Sequence, residues 1–276
     1  MILAFSRFCS ILFYSTIIIQ VILMANSVVF LGTSHGDPSL TRFCSSAYYK
    51  FGETSILVDV GEPARALLIR QDIPIQDLSA VLITHLHGDH TFGVCDVIKH
   101  IHKYRVEGRH TDFYFPEAGF IPALENFLSA VHISINPEIV TLKSYDQSLC
   151  YEINGLRITS TPTEHMRQHW QAPSYGFLME YEGQRIMHTG DLCADFHDFP
   201  ICETDAPYDL CVCEATHFCG NMDAVVAKLE KMPIKKLVFN HIGTRWTDGN
   251  ENELKAAVSG LPYPVIIAQD SMKVEI

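Results

Sequence analysis

The stretch Thr84-His85-Leu86-His87-Gly88-Asp89-His90 places three imidazoles and one carboxylate within six residues, directly after the apolar run Ala80-Val81-Leu82-Ile83. That run reads as a short strand, Ala80–Thr84. Where a strand ends and bends, residues i and i+2 can turn both rings toward one point, and His85 and His87 have that spacing. Asp89 and His90 lie just beyond and can face a second point nearby. Neutral imidazoles and carboxylates suit Zn²⁺, Mn²⁺ or Fe. Two ions about 3.5–4 Å apart require a bridging carboxylate. One segment cannot supply a full set, so further ligands must come from later strand ends.

Three residues meet that requirement. His165 follows the strand-like run to Thr161, Asp191 follows Arg185–Thr189, and His241 follows Leu237–Asn240. Each sits where a strand gives way to a loop, the usual place for chemistry on a rigid scaffold. Taken singly, each is more simply a surface or satisfied core residue; the 85–90 segment gives them weight.

The surrounding composition is that of a folded domain. The chain has 276 residues, 47% of them hydrophobic, which suffices for the core of one large α/β domain. Its formal net charge is −12, so extended contact with nucleic acid is disfavoured, although a cationic centre could still bind a small anion. The cysteines number nine, an odd count without a C-x-x-C pair, and read as reduced thiols of the cytoplasm. Residues 1–26 form an apolar leader. They read as a start upstream of a natural Met24, a cleaved signal or a membrane anchor, so export or anchoring stays open. The domain is expected over 27–276.

No linker or internal repeat interrupts that span. Val28–Leu31, the hairpin of Ala47–Phe51 with Ser55–Val60, and Ala80–Thr84 read as strands. So do Ile139–Leu142, Leu149–Ile153, Leu156–Pro162, Ser174–Tyr181, Gln184–Thr189, Leu210–Cys213 and Leu237–Asn240, with Val265–Ala268 closing the chain. Pro63–Gln71, Thr91–Tyr104, Pro116–Val131, Met222–Met232 and Glu251–Ser259 read as helices. Two sheets covered by helices fit this order.

With these residues in place, the chain resembles the metallo-β-lactamase superfamily. His85, His87, Asp89 and His90 match its H-x-H-x-D-H motif, and the later His, Gly-Asp and His follow in the family's order. Asp59, in Leu57-Val58-Asp59-Val60-Gly61, matches an early aspartate of structural role. The resemblance covers about residues 28 to 270. It implies an α/β fold, the four-layer αβ/βα sandwich in a single domain, with the metals at one edge of the two sheets. It implies one metal on His85, His87 and His165, a second on Asp89, His90 and His241, and Asp191 bridging. Two divalent ions are expected, zinc foremost, with manganese or iron as alternatives.

Leu31-Gly32-Thr33, Asp59-Val60-Gly61-Glu62 and Glu214-Ala215-Thr216-His217 resemble the ribonuclease Z side of the superfamily and its cyclic phosphodiesterases. Ribonuclease Z carries a tRNA-gripping arm between the residues corresponding to His165 and Asp191. Here that interval is 26 residues and two short strands nearly fill it. The Cys-rich structural zinc site of the phosphoribosyl cyclic phosphodiesterases is missing as well. The expected function is therefore a dinuclear metal-dependent phosphodiesterase acting on a small cyclic or nucleotide phosphodiester through a metal-bridging hydroxide. The alternatives are a thioester or lactone hydrolase, a ribonuclease Z-like endonuclease, and a non-catalytic metal-binding module. A small-molecule partner is expected, and homodimerisation stays open.

Within that mechanism Asp89 orients the hydroxide, His217 is the candidate general acid and Glu214 its orienting partner. His35, His169 and Trp170 are candidates for the pocket lining, against packing or solvent-facing roles. Arg245 is a candidate phosphate contact. His188 is expected to point into the sheet interior, and Asp195, His197 and Asp198 to form a loop beside the site. His100, His102 and His110 read as surface residues.

Overall fold

The computed structural model describes residues 25–145, 148–201, 206–247 and 249–276, apart from the side chains of 168, 169, 219 and 220. Residues 1–24 of the leader lie outside the described residues, and so does the side chain of His169. Asn26, inside the expected leader, already joins the fold: its side chain bonds Gln184 and its carbonyl accepts the Ile276 N–H. Among the described residues no helix is long and apolar enough to cross a membrane.

The strands are β1 (Ser27–Gly32), β2 (Ser46–Phe51), β3 (Thr54–Val58), β4 (Ala80–Leu82), β5 (Thr111–Phe115), β6 (Val140–Ser144) and β7 (Cys150–Ile153). They continue with β8 (Leu156–Thr163), β9 (Ser174–Tyr181), β10 (Gln184–His188), β11 (Leu210–Ala215), β12 (Leu237–Ile242), β13 (Val265–Ile267) and β14 (Met272–Glu275). The main helices are α1 (Ala64–Arg70), α2 (Val94–Lys103), α3 (Phe120–Ala130), α4 (Met222–Leu229) and α5 (Glu251–Ala257). The strands form two seven-stranded sheets, β14-β1-β2-β3-β4-β5-β6 and β13-β12-β11-β10-β9-β8-β7.

Three apolar clusters make this a four-layer sandwich. One lies between the sheets, with Val28, Tyr49, Ile56 and Leu82 meeting Ile158, Phe177, Ile186 and Val212. A second packs α1, α2 and α3 on the outer face of the first sheet; a third packs α4 and α5 on the second. Helix α2 shows why: Val94, Val97, Ile98 and Ile101 recur at helical spacing and are the residues it buries.

Two strands differ from expectation. β5 begins Thr-Asp, which masks its pattern, yet Thr111, Phe113 and Phe115 alternate inward and it pairs in parallel with β4 and β6. Val265–Ile267 does not close the chain: β14 follows it and crosses to the first sheet, antiparallel to β1. Helix α3 also starts later than expected, at Phe120.

The topology puts the strand ends that matter on one edge. β3 and β4 are parallel, as are β10, β11 and β12, while β8 returns to their direction through the antiparallel β9. The two sheets are stitched together there, by Tyr175 N–H to Thr84 O at 3.1 Å and Ile242 N–H to Thr33 O at 2.7 Å.

Candidate metal centre

At this edge Asp59 leaves β3 and Thr84-His85 leave β4. Asp59 is buried in the left-handed region at φ 59°, a conformation that costs a non-glycine residue about 1–3 kcal/mol. The strained turn aims its carboxylate at the next loop. Oδ1 accepts the Thr84 N–H at 2.8 Å, the Thr84 hydroxyl donates to the same carboxylate, and Oδ2 accepts His90 Nδ1–H at 2.7 Å. Because the Thr84 hydroxyl is committed as a donor, its oxygen accepts from His85 Nδ1 at 3.1 Å. Both Nδ1 atoms then carry protons, and the Nε2 atoms of His85 and His90 face inward, the position from which each ring would bind a metal. Such partners of the far nitrogen set tautomer and ring orientation in metal sites.

The inward atoms converge. His85 Nε2 lies 3.0 Å from His87 Nδ1, which lies 3.3 Å from His165 Nε2. His90 Nε2 lies 3.2 Å from His241 Nε2, and Asp89 Oδ2 is 3.4 and 3.3 Å from these two. One oxygen, Asp191 Oδ2, is shared: it stands 3.7 Å from His85, His90 and His165 Nε2 and 3.4 Å from His241 Nε2. A tetrahedral ion with bonds of about 2.0–2.1 Å has ligand–ligand edges of about 3.3–3.4 Å. The two groups of donors therefore outline two such shells that meet at Asp191. His85, His87 and His165 could hold one ion, and Asp89, His90 and His241 another.

Two backbone features hold the shared groups. Gly190, before Asp191, has φ 60°, and a Cβ there would stand 2.4 Å from Tyr175 O; only glycine fits. His241 has φ 50° and sits beside the register shift between β11 and β12.

The charge balance also suits cations. Burial would raise the Asp89 carboxyl, but hydrogen bonds from His241 and His90 hold it well below the usual carboxylate range. Burial opposes ionisation of Asp191 too, and the ring of imidazoles around it outweighs burial and lowers its pKa. Burial keeps His85 neutral. Burial would lower His90 as well, but the Asp59 and Asp191 charges prevail and raise it. Two buried carboxylates, Asp59 and Asp191, and the half-buried Asp89 thus draw positive charge to one spot, and the donor set fits divalent metal.

Glu214, at the end of β11, is 3% exposed. Its Oε1 accepts Leu192 N–H and His217 Nδ1–H at 3.2 and 2.8 Å; its Oε2 accepts the N–H groups of Thr216 and His217 at 2.7 and 3.0 Å. It pins the loop after Asp191 to the turn carrying His217. The His217 ring lies 4.5 Å from that of His165 and 5.8 Å from that of His241. Burial would lower its pKa, but the Glu214 carboxylate raises it to about 9. His217 also lies within ligand reach of the same cluster, grouped with His165 and Asp191.

The outer candidates divide. His35 joins the site, its ring 6.4 Å from that of His241 and its Nε2 accepting the Thr244 N–H. Trp170 is largely exposed with its ring 6.4 Å from that of His87, and Phe92, also exposed, covers Gly88. The described contacts of Arg245 run to the Trp246 ring and to Glu253. His188 is buried in the interior, 2.9 Å from the Tyr49 hydroxyl. His197 bonds Asp195 and Glu164, while Asp198 accepts Glu164 N–H, so this loop braces the segment before His165. His100 and His102 bond Arg65 and the Asn136 N–H, and His110 bonds Asp112.

Asp59 and Thr84 carry no local sequence pattern that names their partners. Their contacts span 25 and 31 residues, and the only cue was the fixed placement of a polar pair at two strand ends.

Relatives and structural neighbours agree with this architecture. The chain is 28% identical over 178 residues to a ribonuclease Z of Bacteroides thetaiotaomicron, covering 63% of this chain and 53% of that protein. It is 26% identical over 307 residues to a ribonuclease Z of Picosynechococcus, covering 88% and 94%. It spans about half the length of the Bacteroides relative and of several others. The crystal structure of the metallo-beta-lactamase fold protein YhfI from Bacillus subtilis superposes with a TM-score of 0.69 at 18% identity, over 91% of this chain and 100% of that one. The family described as anti-Pycsar protein Apyc1 matches residues 26–252, and the chain belongs to that family, on the ribonuclease Z-like branch of the metallo-β-lactamase-fold hydrolases.

Proposed function

We propose that the chain is a metal-dependent phosphodiesterase that hydrolyses a small cyclic or nucleotide phosphodiester. The observation that carries this reading is the single Asp191 oxygen shared by two sets of three donors. In this reading His85, His87 and His165 would hold one ion and Asp89, His90 and His241 the other, with Asp191 placed to serve both and zinc the preferred metal. When bound, two divalent ions acidify water and offset charge on the phosphoryl oxygens.

The chain's own groups supply the rest. Asp89, already ionised, accepts a hydrogen bond from the attacking water and orients it. Glu214 holds His217 by Nδ1, which leaves Nε2 to give its proton to the departing alkoxide. His35 and Trp170, whose rings stand 6.4 Å from those of His241 and His87, are the side chains a substrate would meet beside the donors. A diester suits this arrangement because one side meets the metal donors while the leaving oxygen meets an acid.

The relatives' name favours a second reading, an RNA endonuclease. Against it, the interval from 165 to 191 is taken up by a helical turn at Arg167–Trp170 and the hairpin β9–β10, which leaves no chain for a substrate-gripping arm. The net charge of −12 opposes a long polyanion as well.

A substrate panel tests the proposal. Purified protein with Zn²⁺ or Mn²⁺ is offered bis-p-nitrophenyl phosphate, 2′,3′-cyclic nucleotides, a precursor tRNA, a thioester and a lactone. Turnover of the small diesters is expected. Turnover of the acyl substrates alone, or of the tRNA alone, overturns it.

A further inference from the structure

Four buried side-chain atoms have no protein partner among the described residues: Asp191 Oδ1, Asn240 Oδ1, His241 Nδ1 and Trp246 Nε1. Three of them belong to residues lining one small space beside the metal centre, walled also by His188, Val212 and Ser45. Asp191, Asn240 and His241 are 3%, 3% and 4% exposed. A buried polar atom without a partner costs about 1–3 kcal/mol, and three around one space point to a common partner. The space has room for about one water molecule.

The chemistry of the three atoms is complementary to a single water. In the two-ion reading His241 binds metal through Nε2, the atom that faces Asp89 and Asp191, so the ring proton sits on Nδ1 and makes it a donor. Asp191 Oδ1 and Asn240 Oδ1 are acceptors. Water accepts one hydrogen bond and donates two, so one molecule satisfies all three.

We infer that Asn240 is a positioning residue of the metal centre. Through one buried water it fixes the tautomer of His241 and the orientation of the bridging carboxylate. Asn240 precedes His241 on β12 and lines the same space as His241 and Asp191. This inference rests on the two-ion reading proposed above. It adds a structural water site and a residue that touches neither metal nor substrate.

The test is a zinc titration of the metal-free protein against a competing chelating indicator, with Tm measured on the same metal-free samples. Asn240→Leu keeps the volume and removes the acceptor. It is expected to weaken one of the two ions about tenfold, the lower end for loss of a ligand's supporting partner, with the metal-free Tm held. Asn240→Ser keeps a neutral acceptor without adding charge beside Asp191 and is expected to bind both ions about as tightly as the parent. Two ions in the parent and unchanged affinities in Asn240→Leu overturn this inference alone. So does equal loss of both ions in both variants with a lowered metal-free Tm, which would mark a merely structural role. A parent that binds one ion overturns both this inference and the two-ion reading. Because no substrate is involved, absence of diester turnover bears only on the phosphodiesterase proposal.

Discussion

Replacing Glu214 by Gln removes the charge beside His217 at almost constant size. In the native chain burial pulls the His217 imidazole below its ordinary 6.5, and the carboxylate 2.8 Å from Nδ1 overrides it, raising the pKa to about 9. At pH 8 an imidazole of pKa about 9 is roughly 90% protonated; one at about 6.5 is roughly 3%. Without the carboxylate the largest raising influence is gone, and burial brings the imidazole back down toward its ordinary 6.5 against the weaker pull of Asp191. A general acid is present below its pKa and lost as pH rises through it. The alkaline limb of kcat for a 2′,3′-cyclic nucleotide should therefore move down by about two units, and the rate at pH 8 should fall about 30-fold. Bis-p-nitrophenyl phosphate, whose phenolate leaves without a proton, should keep its rate. The Gln amide turns an N–H toward backbone donors that Glu214 accepts, costing about 1–3 kcal/mol of stability, which Tm reads separately. An unmoved alkaline limb in a folded variant refutes the reasoning, as does equal loss on both substrates.

Asp59→Asn should lower metal affinity about 10–100-fold, because an amide cannot accept from both the Thr84 and His90 donors; a chelator titration matching the parent's would contradict this. Trp170→Ala should raise KM for a cyclic nucleotide about tenfold and leave KM for a base-free cyclic phosphate unchanged, since base stacking on an exposed ring is worth about 1–3 kcal/mol. Steady-state kinetics on the two substrates decides it, and equal effects on both would contradict a stacking role.

Much of the site was legible because its densest part is local. His85 to His90 lie on one short turn after an apolar strand, and the order of later strand ends picked out His165, Asp191 and His241. The geometry brings all seven together and adds His217 beside them, held by Glu214. What was not legible came from contacts across the sandwich. The Asp59–Thr84–His90 bracket joins two strands of the first sheet. The Asn240 space needs residues of β10, β11 and β12 at once. Strand β5 was hidden by its polar opening, and β14 because a short mixed strand at the chain's end becomes visible only by pairing with β1. Helix limits shifted where tertiary packing, not periodicity, ended the element, as at the separate turn Gly88–Thr91 ahead of α2.

The bridge at Asp191 is tested most directly by counting metal. Protein loaded with zinc and freed of excess should carry two ions per chain by elemental analysis. Asp191→Ala should carry at most one and lose diester turnover. One ion in the parent, or two in the variant with full activity, would contradict the account.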